Sequence, residues 1–397
     1  MDCHALKTLA FVIVPLLALT AGVAAQTEDL GNGFRHHGVA TPVSNHRGTV
    51  AAADADGNPV ALVWLFDHRG GYGILMIDAT TGESVTYPTP FPPGGDTPYA
   101  SILSTRNRYY THFNGWFCEF DPAVPGFTFY EQTARQMAMS MTEDDNGVIW
   151  SASYPNDGIV SYDPETGEMR DYGHVYTRNW AQYPRSIVAD DQGWIYFGDG
   201  STEGQILILN PETGEATPVL PENELAHGSG VVYRDVNGRA YGRVGDRWWE
   251  LYGGQATPLA EAPAIDNKPI ITGSQGLFHR SFPGGGTLNS VDLINRTVTV
   301  TDAAGETRTM DIDYESEGAH IMGLAAASDG TIAGGTAFPM RFFSFDPVAD
   351  EWTNRVAYGQ WNTVAATDTL FYVGGYGHGF LLEWDPSREW VDTVKDN

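Results

Sequence analysis

The chain predicts an all-β fold, a single β-propeller of four-stranded antiparallel blades, eight by repeat count, with seven as the alternative. Three observations carry this. An apolar strand, an Asp-Gly turn and a second strand recur at intervals of roughly 40 residues. A further strand in most copies ends in Asp-Pro-x-Thr-Gly or a relative. The composition, 46 Gly and 23 Pro in 397 residues, suits frequent tight turns, and 42% hydrophobic residues are ample for a core. Short strands separated by turn signals at regular spacing are the pattern of propellers.

The clearest copies run from Asp144-Asp145-Asn146-Gly147-Val148-Ile149-Trp150 to Tyr162-Asp163-Pro164-Glu165-Thr166-Gly167, and from Asp190-Asp191-Gln192-Gly193-Trp194-Ile195-Tyr196 to Leu209-Asn210-Pro211-Glu212-Thr213-Gly214. Innermost strands are expected near Thr49, Ala100, Met139, Ser186, Gly230, Ile270, Met322 and Thr363. Third strands include 74–78, 117–121, 206–209 and 342–346, and weak, edge-like fourth strands include 83–87 and 351–354. Alternation within strands is imperfect, as expected for sheets buried on both faces by their neighbours. The units at 230–259 and 268–302 are the least regular. Seven blades result if one of them is an insertion, or if the first and last segments share a blade.

Residues 1–25 read as a secretory signal: Lys7, the apolar run Leu9 to Leu19, then small residues Val23-Ala24-Ala25 before Gln26. The run is too short to span a bilayer, so no membrane association is expected. A lead-in segment, 26–48, precedes a propeller domain over 49–392. The product is expected to be secreted or periplasmic and monomeric. With Cys3 in the signal, Cys118 stands alone and no intrachain disulfide can form.

The net charge of −28 argues against a nucleic-acid partner. It does not exclude an anionic substrate, because binding follows local potential rather than the sum. Much of the acidity lies in the Asp-rich turns. Their residues suit Asx and left-handed turn geometry, and no calcium-loop spacing is present.

In an up-and-down blade the second-to-third loops and the blade-to-blade connections share the face opposite those turns. That face collects His46, Arg47, His68, His112, Tyr154, Tyr183, Arg185, His227, His279, Arg280, His320, Trp361 and His378. Seven of the eleven histidines fall there. Each alone can be a hydrogen-bonding residue of a wet channel, and a Trp can be core. Together they mark a cleft of titratable groups. Histidine also ligates metals, but no His-x-His or Glu-x-x-His spacing fixes a site, so any metal is left unassigned.

Carboxylates are scarce on this face, with Asp67, Asp199 and Glu203 the main ones, and no glycosidase pair stands out. A Ser nucleophile elbow is absent, and Cys118 sits in an apolar strand. Tyr, His and Arg instead suit proton abstraction α to a carboxylate. Arg47 or Arg185 neutralises a uronate, one group removes the carbon-bound proton, and another protonates the departing glycosidic oxygen. Trp116, Trp180 and Trp361 are the aromatic platforms available for sugar faces.

Residues 109–122, Tyr-Tyr-Thr-His-Phe-Asn-Gly-Trp-Phe-Cys-Glu-Phe-Asp-Pro, and 179–186, Asn-Trp-Ala-Gln-Tyr-Pro-Arg-Ser, go beyond propeller grammar. With Ser44-Asn45-His46-Arg47-Gly48, they make the chain resemble secreted propeller enzymes that cleave rhamnose–glucuronate linkages, the ulvan lyases and rhamnosyl-glucuronate lyases. The resemblance implies β-elimination on an anionic poly- or oligosaccharide. It implies His46 or His112 as base or acid, Tyr183 or Tyr154 as partner, and Arg185 or Arg47 as neutraliser. Arg47, His68, Tyr154, His227, His279, Arg280, His320, Trp361 and His378 would bind substrate. No cofactor is required by the sequence; some members carry a structural divalent metal, and members are commonly seven-bladed. The rivals are a rhamnosidase-type hydrolase, a non-catalytic glycan- or protein-binding propeller, and a propeller of the virginiamycin-lyase type, which shares Gly-x-Ile-Trp repeats.

Overall fold

The computed structural model describes residues 23–24, 27–67, 71–92, 94–95, 97–134, 137–200, 202–225, 227–337, 339–376 and 379–388. Contacts divide the chain into two compact units, one of Thr41–His320 and one formed by the chain before and after it. The fold class is all-β, made of antiparallel propeller blades, as the repeat predicts. No helix among the described residues is long and apolar enough to cross a membrane.

In Thr41–His320, blade I comprises His46–Ala53, Pro59–Phe66, Tyr72–Asp78 and Ser84–Pro88. Blade II comprises Ser101–Leu103, Tyr109–Phe113, Trp116–Asp121 and Gly126–Gln132. Blade III comprises Met137–Glu143, Ile149–Tyr154, Gly158–Asp163 and Glu168–His174. Blade IV comprises Ser186–Ala189, Ile195–Asp199, Gln205–Leu209 and Ala216–Pro218. Blade V comprises Gly230–Arg234, Ala240–Val244, Arg247–Tyr252 and Gln255–Leu259. Each is antiparallel with its strands in chain order.

Successive blades share apolar cores, which is why their inner strands are buried on both faces. Trp64, Phe113 and Phe120 join blades I and II, and Tyr110, Phe117 and Tyr162 join II and III. Trp150, Ile159 and Phe197 join III and IV; Tyr196, Ile206 and Trp249 join IV and V. Fourth strands are largely exposed, as their weak patterns foretell.

The sixth repeat departs from expectation. Ile271–Gly273 and Leu277–His279 do not open a sheet of their own. The first pairs antiparallel with the inner strand of blade II, the second parallel with that of blade I. They occupy inner edges that would otherwise leave backbone groups unpaired. Thr287–Asp292, Thr297–Thr301 and Thr307–Asp311 then form a three-stranded sheet packed on blade I through Leu75, Leu288 and Val298.

In the other unit, Ile332–Ala337, Arg341–Asp346 and Glu351–Val356 belong to a blade whose first strand is His320–Ala326. Val23–Ala24 pairs with its outer edge; the rest of the expected signal segment lies outside the described residues. Gln360–Ala366, Phe371–Tyr376 and Leu381–Trp384 form a three-stranded sheet. Among the described residues, eight sheets of three or more strands thus stand where the repeat marks eight units, six of them with a full set of four strands from their own repeat.

The Asp-rich turns are scaffold. Asp144 Oδ1 accepts the N–H groups of Asn146 and Val148, and Asp190 Oδ1 those of Gln192 and Trp194. The second oxygen of each reaches six residues on, to Trp150 Nε1 at 3.0 Å and to the Tyr196 hydroxyl at 2.8 Å. The repeated Asp therefore closes the turn and pins the aromatic residue of the second strand. Gly147 and Gly193 have φ of 83° and 86°, a region that disfavours residues with a Cβ.

Candidate functional site

The second strand of blade III ends at Tyr154, and the chain enters blade IV through Tyr183-Pro184-Arg185. These two places lie at the same end of their blades, so adjacent blades bring them together. The rings of Tyr154 and Tyr183 lie 4.9 Å apart, and the Arg185 guanidinium lies 5.2 Å from the Tyr183 ring centre. Burial, reinforced by Tyr154, raises Tyr183 above the usual phenol range, with Arg185 opposing. Tyr183 is therefore neutral at rest and suited to donate a proton.

Beneath it lies a fully buried polar group. Gln182 Nε2 donates to Asp157 Oδ2 at 3.0 Å and to Asp199 Oδ2 at 3.3 Å. Asp199 Oδ1 accepts the Tyr183 N–H at 3.0 Å. Gln182 Oε1 accepts the Arg178 N–H, which fixes the amide with its NH₂ toward the two carboxyls. Asp157 Oδ1 has no hydrogen-bond partner. Burial, then the charge of Asp199, pushes Asp157 up to about 9. Asp199 is also raised by burial, against its hydrogen bonds and Arg178.

A second grouping sits at the start of blade I. His46 Nδ1 donates to the Ser44 carbonyl at 3.1 Å, which leaves Nε2 carrying the lone pair. Burial lowers its pKa, the Ser44 hydrogen bond opposing, so the imidazole is a neutral proton acceptor at pH 7. Arg47, buried, lies 5.4 Å from the Tyr99 ring centre. Gly48 forms the bulge between Arg47 and Thr49, and a side chain there would run into the Tyr109 hydroxyl.

The remaining expected site residues scatter. His112 is fully buried between blades II and III. Thr133 Oγ1 donates to the Ala134 carbonyl and so accepts from His112 Nε2–H at 2.8 Å; Nδ1 accepts from Ser151 Oγ at 3.0 Å. Burial drives it down to about 4. Fully buried and with both ring nitrogens bonded, it packs as a core histidine, against the expectation of a catalytic role. Trp361 is likewise core, packed on Phe342 and donating to the Tyr358 carbonyl, so it offers no sugar platform. His227 is exposed, its Nδ1 3.3 Å from the Thr202 carbonyl, and Arg280 donates to the carbonyls of Leu288 and Asn289. His279 is half-buried, with burial lowering its pKa, and His320 is exposed at the start of its strand. His68 and His378 lie outside the described residues. Cys118 is free and buried, with burial pushing its thiol up.

Arg185 also lines a cavity of about 330 Å³ against the inner strands of blades III, IV and V. Arg234 and Lys268 line it too, and among the described residues none that lines it is a carboxylate. Both share the carboxylate of Asp145, at 2.7 and 2.5 Å, whereas no carboxylate among the described residues pairs with Arg185. The cavity is therefore locally cationic within a strongly acidic chain. Asp157, Gln182 and Arg234 were not expected from sequence; Gln182 alone had a signal, inside the 179–186 run. A larger cleft of about 1000 Å³ lies between blade I and the three-stranded sheet, lined by Asp67, Tyr314 and Glu317 among others. Among the described residues no three His, Cys, Asp or Glu gather to hold a metal ion.

No family model and no curated protein matches the chain. Among solved structures it is similar to a streptogramin B lyase, with 17% identity over 74% of this chain and 91% of that one, at a TM-score of 0.37. A catalytically inactive virginiamycin B lyase from Staphylococcus aureus with quinupristin shows 13% identity over 88% and 94%, TM-score 0.36. The Cps50 (Swd1) β-propeller domain of Myceliophteria thermophila shows 12% identity over 87% and 100%, TM-score 0.36. At those values the activities of these proteins do not carry to this chain.

Proposed function

We propose that the protein is a secreted or periplasmic lyase that cleaves uronate-containing glycans of the rhamnose–glucuronate type by β-elimination. The observation that carries this reading is Arg185, which lies against Tyr183, itself packed on Tyr154, and lines a cavity where, among the described residues, Arg234 and Lys268 are the other cations and no carboxylate stands. Its volume is at the low end of small-molecule sites, about 300–1,000 Å³. A uronate carboxylate would pair with Arg185, which stabilises the negative charge that develops as the adjacent carbon loses its proton.

The step balances as follows. The C5–H bond breaks and its proton goes to a base, the Nε2 lone pair of His46 or Tyr154 entering as its phenolate. The electron pair forms the C4–C5 double bond, and the C4–O bond breaks. Neutral Tyr183 gives its proton to the departing oxygen. No metal is needed for this sequence of events, and none is assigned.

Incubation with ulvan or a rhamnosyl-glucuronate oligosaccharide tests the reading through the ultraviolet absorbance of the unsaturated uronate. Its appearance supports elimination. Reducing ends without the chromophore would favour a rhamnosidase-type hydrolase, and saturable binding without product a glycan-binding module.

A further inference from the structure

We infer that Gln182, with Asp157 and Asp199, is a buried clamp that positions Tyr183 for proton transfer and holds a single proton between its two carboxyls. This rests on the elimination reading for what Tyr183 does, but not for how it is held.

Three features carry it. Gln182 is fully buried and uses its backbone N–H and both ends of its side-chain amide: the N–H donates to the Pro155 carbonyl at 2.8 Å, Oε1 accepts from Arg178, and the NH₂ spans two carboxyls. It thereby ties the loop after Tyr154 to the connection carrying Tyr183. Asp199 completes the tie through the Tyr183 N–H. Finally, the two carboxyls differ in surroundings. Asp199 accepts from Gln182, Tyr183 and Gly200 and feels Arg178, which is itself paired with Glu203 at 2.9 Å. Asp157 accepts only from Gln182 and leaves Oδ1 bare. Two buried carboxyls on one amide cannot both ionise without a large cost, so the one with more hydrogen-bond donors keeps the charge and the other the proton. Around the clamp, Arg178 also meets the Tyr176 hydroxyl and Glu222, and Tyr183 meets Tyr154 and Arg185. None of these three clamp residues needs to touch substrate; they act through Tyr183.

The experiment compares Gln182→Leu, Asp199→Ala and Asp199→Asn with wild type. Two readouts are taken: kcat and KM for formation of unsaturated uronate, and the ionisation of Tyr183 by ultraviolet difference titration, isolated by subtracting Tyr183→Phe. A positioning role predicts that Gln182→Leu lowers kcat by at least about tenfold while KM moves by less than about threefold. It also predicts a displaced Tyr183 titration. Asp199→Asn keeps an oxygen for the Tyr183 N–H and should lose less kcat than Asp199→Ala. Near-ultraviolet circular dichroism establishes that the variants are folded. Folded variants with wild-type kcat and an unmoved Tyr183 titration would overturn the clamp. If Gln182→Leu fails to fold, the isosteric Asp199→Asn decides by the same titration: a displaced step supports the clamp, and an unmoved one overturns it. If wild type yields no unsaturated product, the elimination reading fails by itself, and the titration still decides on the clamp.

Discussion

The guanidinium of Arg185 lies 5.2 Å from the centre of the Tyr183 ring, on a stretch of chain where only Pro184 separates the two residues. The cation opposes the burial that raises the phenol, so on the proposed reading a single contact would join anion recognition to proton transfer.

Arg185→Ala should lower kcat/KM on a uronate-bearing glycan by about 10–100-fold, the worth of a charge-assisted hydrogen bond. Arg185 is exposed, so unfolding stability should change by less than about 0.5 kcal/mol. Steady-state kinetics beside urea unfolding measure both. Unchanged kinetics on a confirmed substrate would remove Arg185 from the site.

Asp157→Asn should stabilise the protein at neutral pH. The folded-state pKa of Asp157 is raised from 3.8 to about 9. The group's contribution to stability is thus fully present below about pH 4 and lost as pH rises toward 9. Asparagine removes that slope. Urea unfolding should show a gain on the order of 2 kcal/mol at pH 7 and little difference near pH 4. An equal effect at both pH values would contradict a retained proton.

His112→Gln should flatten the acid limb of stability. The imidazole is held down to about 4 from 6.5 by burial. Its contribution is present above pH 6.5 and lost as pH falls toward 4, an effect of up to about 3 kcal/mol. Unfolding at pH 7.5 and at pH 4.5, compared between wild type and variant, reads the difference. Turnover by folded His112→Gln should stay close to wild type, because the ring is fully buried and both its nitrogens are bonded within the core.

Asp190→Ala should cost about 3 kcal/mol of stability, because four donors lose their acceptor. These are the N–H groups of Gln192, Trp194 and Gly253 and the hydroxyl of Tyr196. Denaturant midpoints check it, with Asp191→Ala as an exposed neighbour expected to change far less.

The blades were legible because the residues that make them act locally. Asp144 and Asp190 close turns with backbone groups two and four residues away, and the Gly that follows takes the left-handed conformation. The site was legible in part. Tyr154, Tyr183 and Arg185 meet as loop sorting predicts, since adjacent blades present the same end. Sorting by end could not tell His46 from His112. His112 belongs to a strand whose five residues are all buried, and its hydrogen-bond partners Ser151 and Thr133 come from elsewhere in the chain.

Local sequence specifies the repeat, the Asp-rich turns and the blade end at which Tyr154, Tyr183 and Arg185 meet. Those follow from φ, hydrogen bonds and side-chain alternation within a few residues. Long-range packing sets Ile271–His279 along the inner edges of blades I and II, makes His112 core, and lets Asp157 and Asp199 share Gln182. Pairing of strands about 170 and about 230 residues apart, and the desolvation that separates one carboxyl from another, depend on neighbours that the local chain does not encode.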